Sequence, residues 1–185
     1  MKHLEIRRHS LTKKGEERGS GSHLSSEGVR LAREAGQTMG PYGYVVASVV
    51  PRTLETAIAM GFAVDVCIDH GGGPLWDASL EEVPFHAQWE ADKPFVLYRD
   101  AIARGGAMYE LAQLQVDIWT SALERVPDGG SVLIVTHGGL SDSGLVHALP
   151  NENHASWGRP ISQLEGGRLT YDGEDFGLGE LIRLG

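Results

Sequence analysis

A single cysteine, Cys67, stands among the 185 residues, so neither an internal disulfide nor a multi-cysteine metal site can be built. Its run, AVDVCI, has the pattern of a buried strand, and a reducing, cytoplasmic setting is the expectation that follows. Cations are scarce too. Sixteen Lys and Arg face 25 Asp and Glu, a formal charge of -9, so the average surface would repel a nucleic-acid backbone. Long apolar runs are missing: the opening MKHLEIRRHS interleaves charge with apolar residues and lacks the core of a signal peptide, and no stretch approaches a membrane span. The eight histidines include no His-x-His or His-Glu-x-x-His spacing, and no Gly-Lys pair is present for a phosphate loop. The expectation is therefore no metal, no cofactor, no nucleic acid and no membrane.

What is present is enough apolar sequence for one core, 41% of the chain, with 25 glycines that follow no repeat. Residues 3–8 alternate as a strand, and a long polar loop follows. The segment SEGVRLAREAGQTM has helical spacing, with Ser25 or Ser26 as the N-cap and an end near Gly40-Pro41. YVVASVV reads as a strand, and Pro51 suits the first turn of the next helix. A further apolar run over residues 63–68 stops at Gly71-Gly72-Gly73. Residues 69–95 read as irregular, acidic and aromatic, a cover or lining of a site. Helical pattern returns from Phe95 to about Val126 with a break at Gly105-Gly106. SVLIVT is a fully apolar strand, residues 140–149 are helical, and two strand candidates close the chain. The expected fold is a single three-layer α/β/α domain over residues 1–185, with a mostly parallel sheet and helices on both faces.

In such sheets ligands bind beyond the carboxyl ends of the strands. Those ends deliver Arg8-His9, Arg52 at a helix start, and His137-Gly138-Gly139. Two arginines and two histidines on one edge of an acidic protein suit a dianionic phosphoryl group, because each guanidinium can grip two oxygens and the helix start adds a favourable dipole. A neutral histidine there can also act as a nucleophile that needs no metal. A carboxylic acid is then required to protonate the leaving alkoxide, and residues 69–97 are where it is expected.

These residues resemble the histidine phosphatase superfamily, which includes cofactor-dependent phosphoglycerate mutase. LEIRRHSLT at 4–12 is similar to its opening strand and Arg-His-Gly-x-Thr motif. LSSEGVRLAREAG at 24–36 is similar to its first helix, SVVPRTLETA at 48–57 to the segment with its second phosphate-binding arginine, and VLIVTHGG at 132–139 to its second histidine motif. The resemblance implies that His9 is the phosphorylated nucleophile and that Arg8, Arg52 and His137 bind the phosphoryl group. The family's acid lies in a Leu-x-Glu setting, which nominates Asp77 in Leu75-Trp76-Asp77, with Glu81 and Glu82 as alternatives. Two departures stand out: Ser10 replaces the glycine after the nucleophile, and the family's asparagine is absent from SLTKKGEE.

Residues 69–95 hold Asp69, Asp77, Glu81, Glu82, Glu90 and Asp92 against Lys93 alone. That is a poor lining for a bisphosphorylated sugar acid, so hydrolysis of a phosphorylated small molecule or phosphoprotein is favoured over mutase transfer. A non-catalytic phospholigand-binding module would not need both histidines. An esterase reading of HGGLSDSG fails because Ser141 and Ser143 lack the paired glycines of a nucleophile elbow. Lys13, Lys14 and Arg18 read as a solvated loop, and Trp76, Phe85, Trp89 and Phe95 as local packing.

Overall fold

A computed structural model describes residues 1–14 and 21–184. The sheet is centred on β4 (Ser131–Thr136), whose apolar run is buried on both faces. Alternation sorts that strand: Val132 and Ile134 join one apolar cluster, Leu133 and Val135 the other. β1 (Lys2–Arg8) and β2 (Tyr44–Ser48) flank β4 in parallel, and β3 (Val66–Ile68) continues the parallel set beyond β2. β5 (Gly166–Tyr171) and β6 (Phe176–Ile182) add an antiparallel margin on the other side of β1, giving the order β3-β2-β4-β1-β5-β6. The link between β5 and β6 is too short for a crossover, so these two strands must form a hairpin. Asp172 holds its turn, Oδ1 accepting from the amides of Glu174 and Asp175.

Helices α1 (Ser26–Gly36) and α2 (Pro51–Ala59) cover one face. Ser25 caps α1 by accepting from Gly28 N, and Pro51 opens α2. After β3 come three short helices, α3 (Pro74–Glu82), α4 (Ala87–Glu90) and α5 (Pro94–Ala103). On the other face α6 (Ala107–Leu123) and α7 (Leu140–Ala148) pack on the central strands, with α5 against both helices. Fully buried Phe95, Trp119, Leu111, Ile134 and Leu145 form this larger core.

Two expectations are corrected. Residues 69–97 are not irregular: they hold α3, α4 and the start of α5. Prolines at the first turns of α3 and α5 start these helices, which are too short to show a clear apolar period. Cys67 is exposed, not buried, because β3 is a three-residue strand at the sheet margin. No helix of the described residues is long and apolar enough to cross a membrane.

Candidate functional site

His9 follows β1 and is tied to β4, its amide donating to Thr136 O at 2.9 Å. Ser10, fully buried, fixes the turn after it. Its amide donates to Thr56 Oγ1 on α2 and its hydroxyl to Gly28 O on α1. Gly28 is obligatory here, since a Cβ would lie 2.1 Å from Leu11 O. His9 Nδ1 sits 2.7 Å from Ser10 O. A carbonyl only accepts, so Nδ1 carries the proton and the lone pair lies on Nε2. Among the described residues Nε2 has no hydrogen-bond partner.

Arg8 is equally constrained. Its Nη1 donates to Ile161 O at 2.7 Å, its Nε is buried without a partner, and Nη2 makes no hydrogen bond among the described residues. Gly138 packs against the guanidinium so closely that a Cβ would lie 2.7 Å from Arg8 Cζ. Asp142 supports the arrangement from beneath: its carboxylate accepts from the amides of Gly139 and Ile161, both at 2.9 Å, and from Ser141 Oγ. It thereby ties the start of α7 to the loop whose carbonyl holds Arg8. Burial raises the Asp142 pKa, and those amide donors oppose the rise.

Arg52 at the start of α2 donates from Nη1 to Ser22 Oγ at 2.6 Å and from Nη2 to His137 Nδ1 at 3.0 Å. A guanidinium cannot accept, so His137 Nδ1 is unprotonated and its Nε2–H donates to Ser48 Oγ at 3.0 Å. The rings of His9 and His137 stand 5.4 Å apart at 61°. Sequence reasoning groups Arg8, His9, Arg52 and His137, and the structure brings these four together at one edge of the sheet.

Electrostatics follow from this crowding. Burial, then Arg52 and Arg8, lower His9 to about 3, against the opposing hydrogen bond to Ser10. His137 is held well below its usual value by burial first, then by His9, Arg52, His70 and Arg8. Both histidines are therefore neutral at pH 7 while two guanidiniums remain charged. The unfilled charge is positive, in a setting with little water to screen it, which suits a dianion.

Asp77 behaves differently. It lies exposed in the first turn of α3, and no hydrogen bond or ion pair among the described residues links it to the four residues above. Glu81, one helical turn further, is exposed on the same face. Glu82 is committed elsewhere, accepting from the amides of Ala107 and Met108 at the start of α6. Lys13 and Lys14 are exposed, and Arg18 lies outside the described residues. Ser141 is buried with its hydroxyl turned to His137 O and Asp142, and Ser143 is buried with its hydroxyl on Leu140 O. Among the described residues no group of three or more His, Cys, Asp or Glu is placed to hold a metal ion.

Three contributors escape the sequence reading: Ser48, Asp142 and His70. Ser48 ends β2, and His70 follows β3, so the strand-end rule that finds His9 reaches both. His70 is buried, with Nδ1 on Thr136 Oγ1 at 2.7 Å, its carbonyl accepting from Gln115, and Nε2 unpartnered among the described residues. Burial lowers it to about 4, partly offset by Asp69.

The model of the histidine phosphatase superfamily, branch 1, matches residues 4–182. The chain belongs to this superfamily. No curated protein matches it in sequence. Among solved structures, this histidine phosphatase superfamily member resembles a phosphoserine phosphatase from Entamoeba histolytica in complex with 3-phosphoglyceric acid, with TM-score 0.64 and 15% identity over 100% of this chain and 98% of that one. A mycobacterial glucosyl-3-phosphoglycerate phosphatase superposes with TM-score 0.61 and 21% identity, covering 98% of both chains. A phosphoglycerate mutase from Bacillus anthracis gives 0.61 and 18% over 97% of this chain and 92% of that one. At these identities the likeness establishes the fold.

Neutral buried histidines make stability depend on pH. A histidine whose folded pKa lies below its unfolded value of about 6.5 binds its proton in the unfolded state first, so its contribution is fully present above pH 6.5 and is lost as pH falls. His9, His70 and His137 all act in this sense. Each should remove up to about 1.4 kcal/mol of stability per pH unit below 6.5. The lowered carboxylates Glu5 and Glu165 add their own loss only below about pH 4.5. Urea unfolding at pH 7.5, 6.0 and 5.0 should show a steep decline across the histidine window, shallower in His70→Asn. A flat profile would contradict the neutral assignment.

Proposed function

We propose that this chain is a metal-independent phosphatase that hydrolyses a phosphate monoester through a phosphohistidine on His9. The observation that carries the reading is the His9 tautomer, with its Nε2 lone pair available beside two guanidiniums. In the first half-reaction Nε2 attacks phosphorus, the bond to the leaving oxygen breaks, and that oxygen takes a proton from the Asp77 carboxyl. In the second, water attacks the phosphohistidine, gives its proton to the Asp77 carboxylate, and His9 is restored. Arg8 Nη2, Arg52 and the His137 ring hold the equatorial oxygens, whose charge is spread in a loose transition state. For Nε2–H of His137 to donate to phosphate it exchanges its bond from Ser48. Exposure of Asp77 on α3 fits a proton carrier that must meet both alcohol and water.

A phosphorylated small molecule is the substrate class favoured by the resemblance to phosphatases such as the one described with 3-phosphoglyceric acid; a phosphoprotein falls within the same chemistry. The acidic surroundings of residues 69–95 favour one phosphate per substrate, and hence hydrolysis over mutase transfer.

The test compares initial rates on alkyl and aryl phosphomonoesters, for wild type and Asp77→Asn, with and without EDTA and vanadate. Turnover should survive EDTA and fall with vanadate. Asp77→Asn should cost about 10²-fold or more with an alkyl ester, whose alkoxide needs the proton, and little with an activated aryl ester. Loss on EDTA treatment restored by a divalent metal would overturn the mechanism. Equal slowing of both esters would move the acid to Glu81.

A further inference from the structure

Of the four aromatic residues Trp76, Phe85, Trp89 and Phe95, three are accounted for by packing. Phe95 is fully buried in the core and packs edge-on against Trp157. Trp76 packs so tightly on Gly139 that a Cβ there would lie 2.7 Å from the indole. Phe85 is partly buried. Trp89 is the exception: it is 43% exposed, and its ring centroid lies 5.9 Å from Arg8 Cζ. What sets it apart is its place, exposed beside the guanidinium of Arg8 rather than in the core.

Its placement is held from behind. The neighbouring Gln88 is buried at 2% exposure and accepts from Tyr98 Oη at 2.7 Å, which fastens the four-residue α4 to α5. Tyr98 is itself buried and reaches toward Gly139. The ring is thus anchored beside the guanidinium whose Nη2 makes no hydrogen bond among the described residues. On its own helix the adjacent Glu90 is exposed, and Lys93 is the one Lys or Arg between residues 69 and 95.

We infer that Trp89 is a specificity-determining residue that seats the alcohol portion of the substrate, and that this portion is a flat aromatic group without a second anion. The inference rests on the phosphatase reading above. A phosphoryl group held by Arg8 leaves its ester substituent in reach of the indole, where a planar ring gains offset-stacking contact beyond simple burial. The exposed carboxylate of Glu90 beside the ring selects against a carboxylate or second phosphate at the same place.

The test uses phosphonates, which bind without turning over. Wild-type protein should bind phenylphosphonate about tenfold more tightly than methylphosphonate by titration calorimetry. That ratio should fall close to one in Trp89→Ala and return in Trp89→Phe. Orthophosphate binding, measured on the same samples, reports the phosphoryl site separately. If orthophosphate binds and the phenyl-to-methyl ratio is the same in Trp89→Ala as in wild type, the platform is overturned and the phosphatase reading stands. If wild type binds neither orthophosphate nor either phosphonate, the phosphoryl site itself is wrong and the inference falls with it.

Discussion

Replacing His9 with alanine is expected to lower kcat on every phosphomonoester the wild-type chain accepts by on the order of 10⁴-fold or more, the scale seen when a covalent nucleophile is deleted. The reason lies in what the protein would have left. Arg8 and Arg52 would still gather a phosphoryl group, because Arg8 is positioned by Ile161 O and Gly138, and Arg52 by Ser22 and His137. Binding of orthophosphate should therefore persist within about tenfold, since two of the charged donors are intact. What disappears is the neutral Nε2 that, in the proposed mechanism, forms a bond to phosphorus. Steady-state kinetics paired with phosphate titration separates the two effects. Turnover within about tenfold of wild type in His9→Ala would mean that water or another side chain attacks phosphorus directly.

Arg52→Ala should cost about 10²- to 10³-fold in kcat/KM, the range for loss of one preorganised transition-state donor. The residue has two tasks in the proposed mechanism. Its charge meets the phosphoryl oxygens, and its Nη2 fixes His137 with the proton on Nε2, the nitrogen that would face an oxyanion. Lysine keeps the charge but cannot reach Ser22 Oγ and His137 Nδ1 together as a planar fork does. Arg52→Lys should accordingly recover only part of the loss, and vanadate should inhibit both variants more weakly than wild type. Full recovery in Arg52→Lys would reduce the role of Arg52 to charge alone.

The four central residues are legible because each sits where a strand ends or a helix begins, and those positions can be read from apolar runs: LEI before Arg8-His9, VVASVV before Arg52, and VLIVT before His137. The groups that hold them are not. Asp142 acts through Ile161, and Arg8 through the same loop, a closure that no local pattern announces. Ser10, a departure from the family motif, bridges α1 and α2, which requires knowing that both helices converge on one turn. The helices of residues 74–90 escape because they are short and mix acidic with aromatic residues, so that neither shows a clear apolar period of its own, whereas α5 is anticipated from Phe95 onward. Cys67 misleads for a related reason: an apolar run predicts a strand but not whether a neighbour covers it. The two closing strands are found as candidates, while their antiparallel pairing becomes evident only once the structure shows β6 beginning at Phe176, with four residues between it and β5.

The most direct test of the phosphohistidine is to mix the wild-type protein with a radiolabelled phosphomonoester, quench within milliseconds to seconds, and locate the label. The account predicts a phosphoryl group on His9, stable to base and lost in acid, absent from His9→Ala, and formed at a rate no slower than turnover. An acid-stable label, a label on another residue, or burst-free turnover with undiminished activity in His9→Ala would contradict it.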